Sequence, residues 1–340
     1  MGRSAGSIAT LDSKQVGAEL NAVLARFQEP STLKAIWQLI DSLALYVLMW
    51  VLIYWSLKGP PLVSVVMTCF AGLLVVRVFI VMHDCGHGSF VRSKLTNDVI
   101  GVIAGMIVFT PYYHWRWEHA IHHATSGNLD RRGTGDIWTM TVKEYLQSST
   151  WMRLLYRIAR HPLVLFGIGP VFVFLILNRF PSRKAKPREW WSVWCTNAWF
   201  VCVVFTLSAV LGWKAYLLVQ LAITIIGGGI GIWMFYVQHQ FEGGYWACNS
   251  KWSYFAAALQ GSSFYRLPKI LQWFSGNIGF HHIHHLSPRI PNYNLARCHS
   301  THPVFKSVPT LTLRNSFYSC RLKLWDEQQR RLVSFRGIRR

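Results

Sequence analysis

Acidic side chains are few: 14 Asp and Glu among 340 residues, against 35 Lys and Arg. Only 14% of the chain is charged, where soluble domains carry about 25%. With 52% of residues hydrophobic and a mean hydropathy of +0.24, that shortage excludes an ordinary water-soluble globule. The chain reads as a polytopic membrane protein. A net charge of +21 would suggest nucleic acid in a soluble protein. Here the basic residues flank apolar runs, where they set topology and meet anionic lipid, so no nucleic-acid partner is expected. Cysteine is sparse too: seven, an odd number with no CxxC pair, which excludes a disulfide framework and a zinc ribbon. These thiols are expected as small apolar packers facing a reducing compartment. The chain also lacks a His-Pro-Gly-Gly haem motif, a ferredoxin cysteine set, a dinucleotide-binding glycine motif, an internal repeat and an apolar signal-type core at its start.

What it has is histidine in clusters. His83-Asp-Cys-Gly-His87, His119-Ala-Ile-His122-His123 and His281-His282-Ile-His284-His285 hold most of the 14 histidines. On a helix, His281, His284 and His285 share one face, as do His119, His122 and His123. A single such motif would be a surface helix with surplus histidines; three, separated by apolar segments, read as ligands converging on metal. His282 points about 100° away from His281 and is left out of the ligand set. His114, His161, His299 and His302 lie outside the clusters and are not assigned to metal. Eight imidazoles exceed one ion's shell, so two ions are expected. Iron, zinc and copper all accept imidazole; zinc has no redox chemistry and copper usually takes fewer ligands, which leans to iron.

Apolar runs at 33–57 and 62–82 are each long enough for a span of about 20 residues, joined by a Lys58-Gly-Pro-Pro turn that breaks the helix. Runs at 190–212 and 215–238 complete four spans. Shorter runs at 99–113 and 163–178 are placed in the interface or as re-entrant segments. Histidines that share a metal must meet on one face, and a crossing at 163–178 would put the third cluster opposite the second. With four spans the outer loops hold Lys58 and Lys214, whereas Arg179, Arg183, Lys184, Lys186 and Arg188 fall in one inner loop. The positive-inside rule then makes both termini cytosolic. The predicted fold class is all-α integral membrane: four transmembrane helices, two interfacial or re-entrant apolar segments and a cytosolic histidine-rich helical cap. Residues 1–32 are expected as a polar cytosolic segment, 33–300 as the membrane domain and 301–340 as a basic cytosolic tail. A short amphipathic helix at 15–27 is expected to lie on the membrane. Asp41 and Arg77 lie about 10 Å and 9 Å deep at 1.5 Å per residue, so a buried ion pair is expected.

HDCGH, HAIHH and HHIHH in that order, with Trp115-Arg-Trp-Glu before the second and Leu286-Ser-Pro-Arg-Ile-Pro-Asn-Tyr293 after the third, resemble the three histidine boxes of membrane fatty-acid desaturases. The match covers roughly residues 35–300 and is nearest the acyl-lipid Δ12 and Δ5 kind. The resemblance implies a centre of two non-haem iron ions that uses O2 to remove hydrogen from adjacent methylenes, leaving a cis double bond and water. It also promotes His239, because the family has an additional metal-binding histidine between the second and third boxes. The implied ligands are His83, His87, His119, His122, His123, His239, His281, His284 and His285. Asp84, Glu118 and Glu242 adjoin the boxes and are candidates to hold free ring nitrogens of ligands. The water-linked asparagine of animal relatives is replaced here by Phe235, which departs from the pattern; Asn277 and Gln238 are candidates in its stead.

The implied partners are a fatty acyl chain held in a membrane lipid and an external acidic electron donor, of ferredoxin or cytochrome b5 type. A bacterial inner membrane is expected in preference to the endoplasmic reticulum. A di-iron hydroxylase or ketolase acting on carotenoids, sterols or alkanes carries similar boxes; HDCGH and Pro291-Asn-Tyr293 favour the desaturase. A histidine-rich metal transporter would place its ligands inside the spans, where this chain has almost none. Gly227, Gly228, Gly229 and Gly231 lie mid-span: close helix packing is the favoured reading, room for an acyl chain the other.

Overall fold

The computed structural model describes residues 13–338, so Arg3, Arg339 and Arg340 lie outside the described residues. Helix α1 (Ser13–Ala25) turns Leu20 and Leu24, one helical turn apart, onto Ile283, Leu286 and Leu295. Through these leucines it docks on the histidine-rich cap.

Among the described residues four helices are long and apolar enough to cross a membrane, or up to six spans if each of two bent pairs counts as one. The four are α2 (Thr32–Ser56), α3 (Pro61–His87), α9 (Pro187–Leu211) and α10 (Trp213–His239). Ser31 starts α2 by accepting from the Lys34 amide, and Pro61 starts α3 where a missing N–H costs nothing. Gly88 ends α3 in the left-handed conformation at φ 66°, a backbone that glycine adopts freely. Leu33, Trp37, Trp191 and Phe205 are among the large apolar side chains that these helices leave exposed, a surface suited to lipid.

The two short apolar runs belong to bent pairs. Helices α4 (Lys94–Ile107) and α5 (Tyr112–Thr125) meet at 102°, across Pro111, which disfavours helix at the residue before it. After α5 and before the second bent pair come β1 (Met140–Thr141) and α6 (Val142–Gln147), with Thr141 and Glu144 forming a capping box. Helix α7 (Thr150–Ala159) then meets the segment Val164–Arg179, which contains a π turn and α8 (Gly169–Leu175), at 62°. Asp98 on α4 pins the first bend: it accepts from Arg116 of α5 at 2.8 Å, from Arg188 of α9 at 3.0 Å and from the Tyr112 hydroxyl at 3.2 Å. Hydropathy alone could not mark these hinge contacts.

The cap adds α11 (Tyr254–Gln260), α12 (Lys269–Phe274), α13 (His281–Leu286) and α14 (Asn292–Thr301), with two small sheets. β2 (Phe264–Arg266) pairs in parallel with β3 (Thr310–Thr312); β4 (Leu324–Asp326) lies between β1 and β5 (Arg331–Val333). Strands this short carry no readable alternation in sequence. They weave the segment after residue 303 into the cap. Arg160, 1% exposed, ties the same segment down by donating to Leu322 O at 3.0 Å and to Gln240 Oε1 at 2.9 Å. All seven cysteines are free, but only Cys85 and Cys298 are buried. Cys69, Cys195 and Cys202 are exposed on spanning helices, a lipid-facing placement that an apolar thiol tolerates.

Candidate metal centre

Four elements deliver the histidines, α10 contributing His239 at its C-terminal end. Helix α3 rises past the apolar region and carries His83 and His87, one turn apart, at its C-terminal end. Helix α5 presents His119, His122 and His123 and is anchored by the Tyr112 hydroxyl, which donates to Cys85 O at 2.9 Å. Helix α13 follows two consecutive left-handed residues, Gly276 at φ 50° and Asn277 at φ 56°. A Cβ on Gly276 would fall 2.6 Å from Ile80 Cγ2, so the chain needs glycine to turn against α3. Phe280, Ile283 and Leu286 bury one face of α13 against α1 and α14, which turns His281, His284 and His285 to the other.

The structure brings nine imidazoles together. His83, His87, His119, His123 and His284 form one group able to hold a metal ion, and His122, His239 and His285 form a second. His281 borders the second group, its Nε2 2.9 Å from that of His239 and 3.1 Å from that of His285. Further Nε2 separations are 3.1 Å for His83–His284, 2.9 Å for His123–His284 and 3.2 Å for His122–His239. With a metal–nitrogen bond of about 2.1 Å, neighbouring ligands stand about 3.0 Å apart at right angles and about 3.4 Å apart in a tetrahedron. The observed spacings match the right-angled arrangement.

The tautomers make the same demand. His122 Nδ1 donates to Asp136 Oδ1 at 2.7 Å, and His239 Nδ1 donates to Gly261 O at 3.3 Å, since neither acceptor carries a proton to give. With both rings in the neutral form that ligates metal, their Nε2 atoms are both lone pairs, facing each other at 3.2 Å. A cation held between them removes the repulsion. Burial first, then neighbouring imidazoles, hold His281, His284 and His285 well below the ordinary histidine value. They are neutral near pH 7, the form that ligates metal.

The carboxylates proposed from adjacency divide. Asp84 Oδ1 accepts from His83 Nδ1 at 3.1 Å, while its Oδ2 accepts from the Asn292 amide at 2.7 Å and the Asn292 side chain at 2.8 Å. Glu118 instead faces His114 Nδ1 at 3.6 Å, one turn back along α5, and lines the cavity without a hydrogen bond to a ligand ring. Glu242 is exposed beyond the end of α10 and holds no described histidine. Asn277 is the left-handed corner described above, and Gln238 donates to Ile278 O at 2.9 Å; neither reaches a ligand ring. The Phe235 ring packs 4.9 Å from His122 and 5.0 Å from His239. Asp136 escaped sequence reasoning, since it lies 13 residues beyond His123 in a glycine-rich loop and adjoins no box. His282 turns away and places Nε2 3.2 Å from His299 Nδ1. Asp41 and Arg77 meet at 3.0 Å, and Arg77 also lies 3.9 Å over the Trp273 ring.

A cavity of about 550 Å³ runs past His83, His119 and His281 and down the glycine-bearing face of α10 to Gln220, walled mainly by apolar side chains. Fold and site together define a membrane-embedded protein with a histidine cluster fit to bind metal beside an apolar cavity. The chain belongs to the fatty acid desaturase family, whose model matches residues 59–307. It is 44% identical over 321 residues to a fatty acid desaturase of Bacillus subtilis (strain 168), covering 94% of this chain and 91% of that one. A chloroplastic omega-6 fatty acid desaturase of Glycine max is 27% identical over 248 residues, covering 68% of this chain and 54% of that one. An sn-1 acyl-lipid omega-3 desaturase (ferredoxin) of Nostoc sp. (strain 36) is 27% identical over 279 residues, covering 73% of this chain and 72% of that one. This family consists of oxidoreductases, and the histidine cluster is compatible with the two-metal centre such chemistry uses.

Proposed function

We propose that the protein introduces a cis double bond into a fatty acyl chain held in a membrane lipid, using O2, two iron ions and an external electron donor. The observation that carries this is the apolar cavity whose wall includes His83, His119 and His281. The donor set fits iron: His83, His87, His119, His123 and His284 would hold one ion, and His122, His239, His281 and His285 the other. Bound iron supplies the activation of O2 needed to break an unactivated C–H bond. The chain's own residues do the rest. Asp84 and Asp136 fix ring tautomers so that Nε2 is the free nitrogen. Phe79, Ile80 and Phe235 keep the cavity wall dry and leave the acyl chain a narrow path. In balance, two hydrogens leave adjacent carbons, and with two electrons and two protons they reduce O2 to two waters.

The electrons require a partner, and a ferredoxin or cytochrome b5 type carrier steered by the basic surface fits the +21 net charge. The cap and both termini are assigned to the cytosol of a bacterial inner membrane, on the basic loop 179–189 and the basic cap. The test is expression in a host lacking polyunsaturated fatty acids, with acyl chains analysed by mass spectrometry and iron measured in the purified protein. A new cis double bond with about two irons per chain is expected. An iron-loaded protein that receives electrons and yields no double bond would end the proposal, and a hydroxylated product would move the assignment to the hydroxylases.

A further inference from the structure

A glycine inside a membrane helix is usually explained by a positive φ or by close packing. The four in α10 divide on this point. A Cβ on Gly227 would meet Gly72 O at 2.8 Å, one on Gly228 would meet Pro170 Cβ at 2.8 Å, and one on Gly229 would meet Phe166 O at 2.7 Å. These three are packing glycines. A Cβ on Gly231 meets nothing within 4 Å, and Gly231 is absent from the positive-φ positions. Alanine would favour the helix there. Gly231 nevertheless forms part of the cavity wall, so what it contributes is empty space. It lies eight residues before His239, about 12 Å along the helix axis, and eleven after Gln220, about 16 Å from the far end of the cavity.

We propose that Gly231 is a specificity-determining position. Its missing side chain lets the acyl chain pass from the histidine cluster into the deep arm bounded by Thr224 and Gln220, and so sets how much chain can lie beyond the reacting carbons. This rests on the desaturase reading. An extended chain advances about 1.2 Å per single bond, as a backbone covers about 3.6 Å in three. A side chain at 231 would therefore stop the acyl chain roughly ten carbons from the cluster.

The test uses the full-length, iron-loaded protein with its electron donor, supplied with acyl chains of graded length. Products are analysed for chain length and for double-bond position counted from the methyl end. The variants are Gly231→Ala, Gly231→Val and Gly231→Leu. Gly167→Ala serves as control, because a Cβ there also meets nothing within 4 Å but lies off the cavity. The ratio of short-chain to long-chain product should rise in order of side-chain size, reaching about tenfold or more for leucine, since one methylene in an apolar pocket shifts selectivity by about 10–200-fold. Gly167→Ala should match wild type. If leucine prevents folding, alanine and valine still test the trend. A wild-type profile in every folded Gly231 variant overturns the proposal. So does a folded, metal-loaded leucine variant inert on all lengths while alanine is unchanged. A wild-type protein that desaturates no chain overturns the desaturase reading, and the variants' dependence on it, together.

Discussion

The two histidine groups use one kind of side chain and are supported differently. In the five-imidazole group, every member comes from a box legible in the sequence, and its one carboxylate support, Asp84, sits next to the ring it holds. The smaller group depends on distant residues: His239 from the end of α10, Asp136 from a loop and Gly261 O from the turn after α11. A metal site can therefore be half local and half tertiary, and only the local half announces itself by spacing.

The largest effect should come from the ligands themselves. Alanine at any of the nine histidines should abolish desaturation while leaving membrane insertion intact. The groups predict a finer split in metal content: His87→Ala should lose the ion of the larger group first, and His239→Ala that of the smaller. Metal analysis of the purified variants decides this. If both variants lose both ions together, the two groups are one cooperative site and the comparison fails.

The Asp41–Arg77 pair braces α3, which carries the first box, against α2. The Arg77 and Asp41 side chains are 6% and 16% exposed at a 3.0 Å separation. Replacing either partner alone should cost about 3–5 kcal/mol, because the other is left buried and unpaired. Arg92–Glu29, 72% and 68% exposed, should be worth about 1 kcal/mol or less. Double-mutant cycles on thermal stability in detergent would sink the claim if the two couplings came out equal.

Next come the supporting carboxylates. Asp136→Asn and Asp84→Asn should each weaken metal binding or activity about 10–100-fold, Asp136→Asn acting on the smaller group. Glu242→Gln should change neither. Metal titrations monitored by absorbance check the order, and an Asp136→Asn protein with wild-type affinity would remove it from the site.

Legibility followed the range of the interaction. The spans were readable because about 20 apolar residues in a row have few other uses. The boxes were readable because spacing within one helix fixes a shared face. The two short runs were readable as interfacial or re-entrant because of their length and breaks, which the two bent pairs match. Asp98 and Asp136 were not readable, because each depends on residues brought together from separate segments. The glycines of α10 were read as a block, whereas three pack and one leaves a gap, a distinction that requires knowing what stands opposite each.

Acid should weaken the metal-free protein. His281, His284 and His285 are held below their ordinary value when folded, while the unfolded chain titrates near about 6.5. Below that pH the unfolded state binds more protons, so stability is full above about 6.5 and falls as pH drops, by up to about 1.4 kcal/mol per pH unit for each histidine. Thermal unfolding of metal-free protein between pH 8 and pH 5 measures the slope, and greater stability at pH 5 would contradict it.

The smallest expected effect on metal is at His282, and it tests whether the smaller group includes His281. His281 and His282 are adjacent and both buried, so burial does not choose between them. Direction does: His281 Nε2 lies 2.9 Å from His239 Nε2, whereas His282 Nε2 lies 3.2 Å from His299 Nδ1, beside Phe264. His282→Ala should keep wild-type metal content and lose only packing and one hydrogen bond, about 1–3 kcal/mol. His299→Ala should lower stability in the same direction and leave the metal untouched, and the double variant should cost less than the sum, since the two rings share one contact. Iron loss in His282→Ala with retention in His281→Ala would reverse the register of the third box. The ligand face of α13 would then have to be redrawn one residue along the chain.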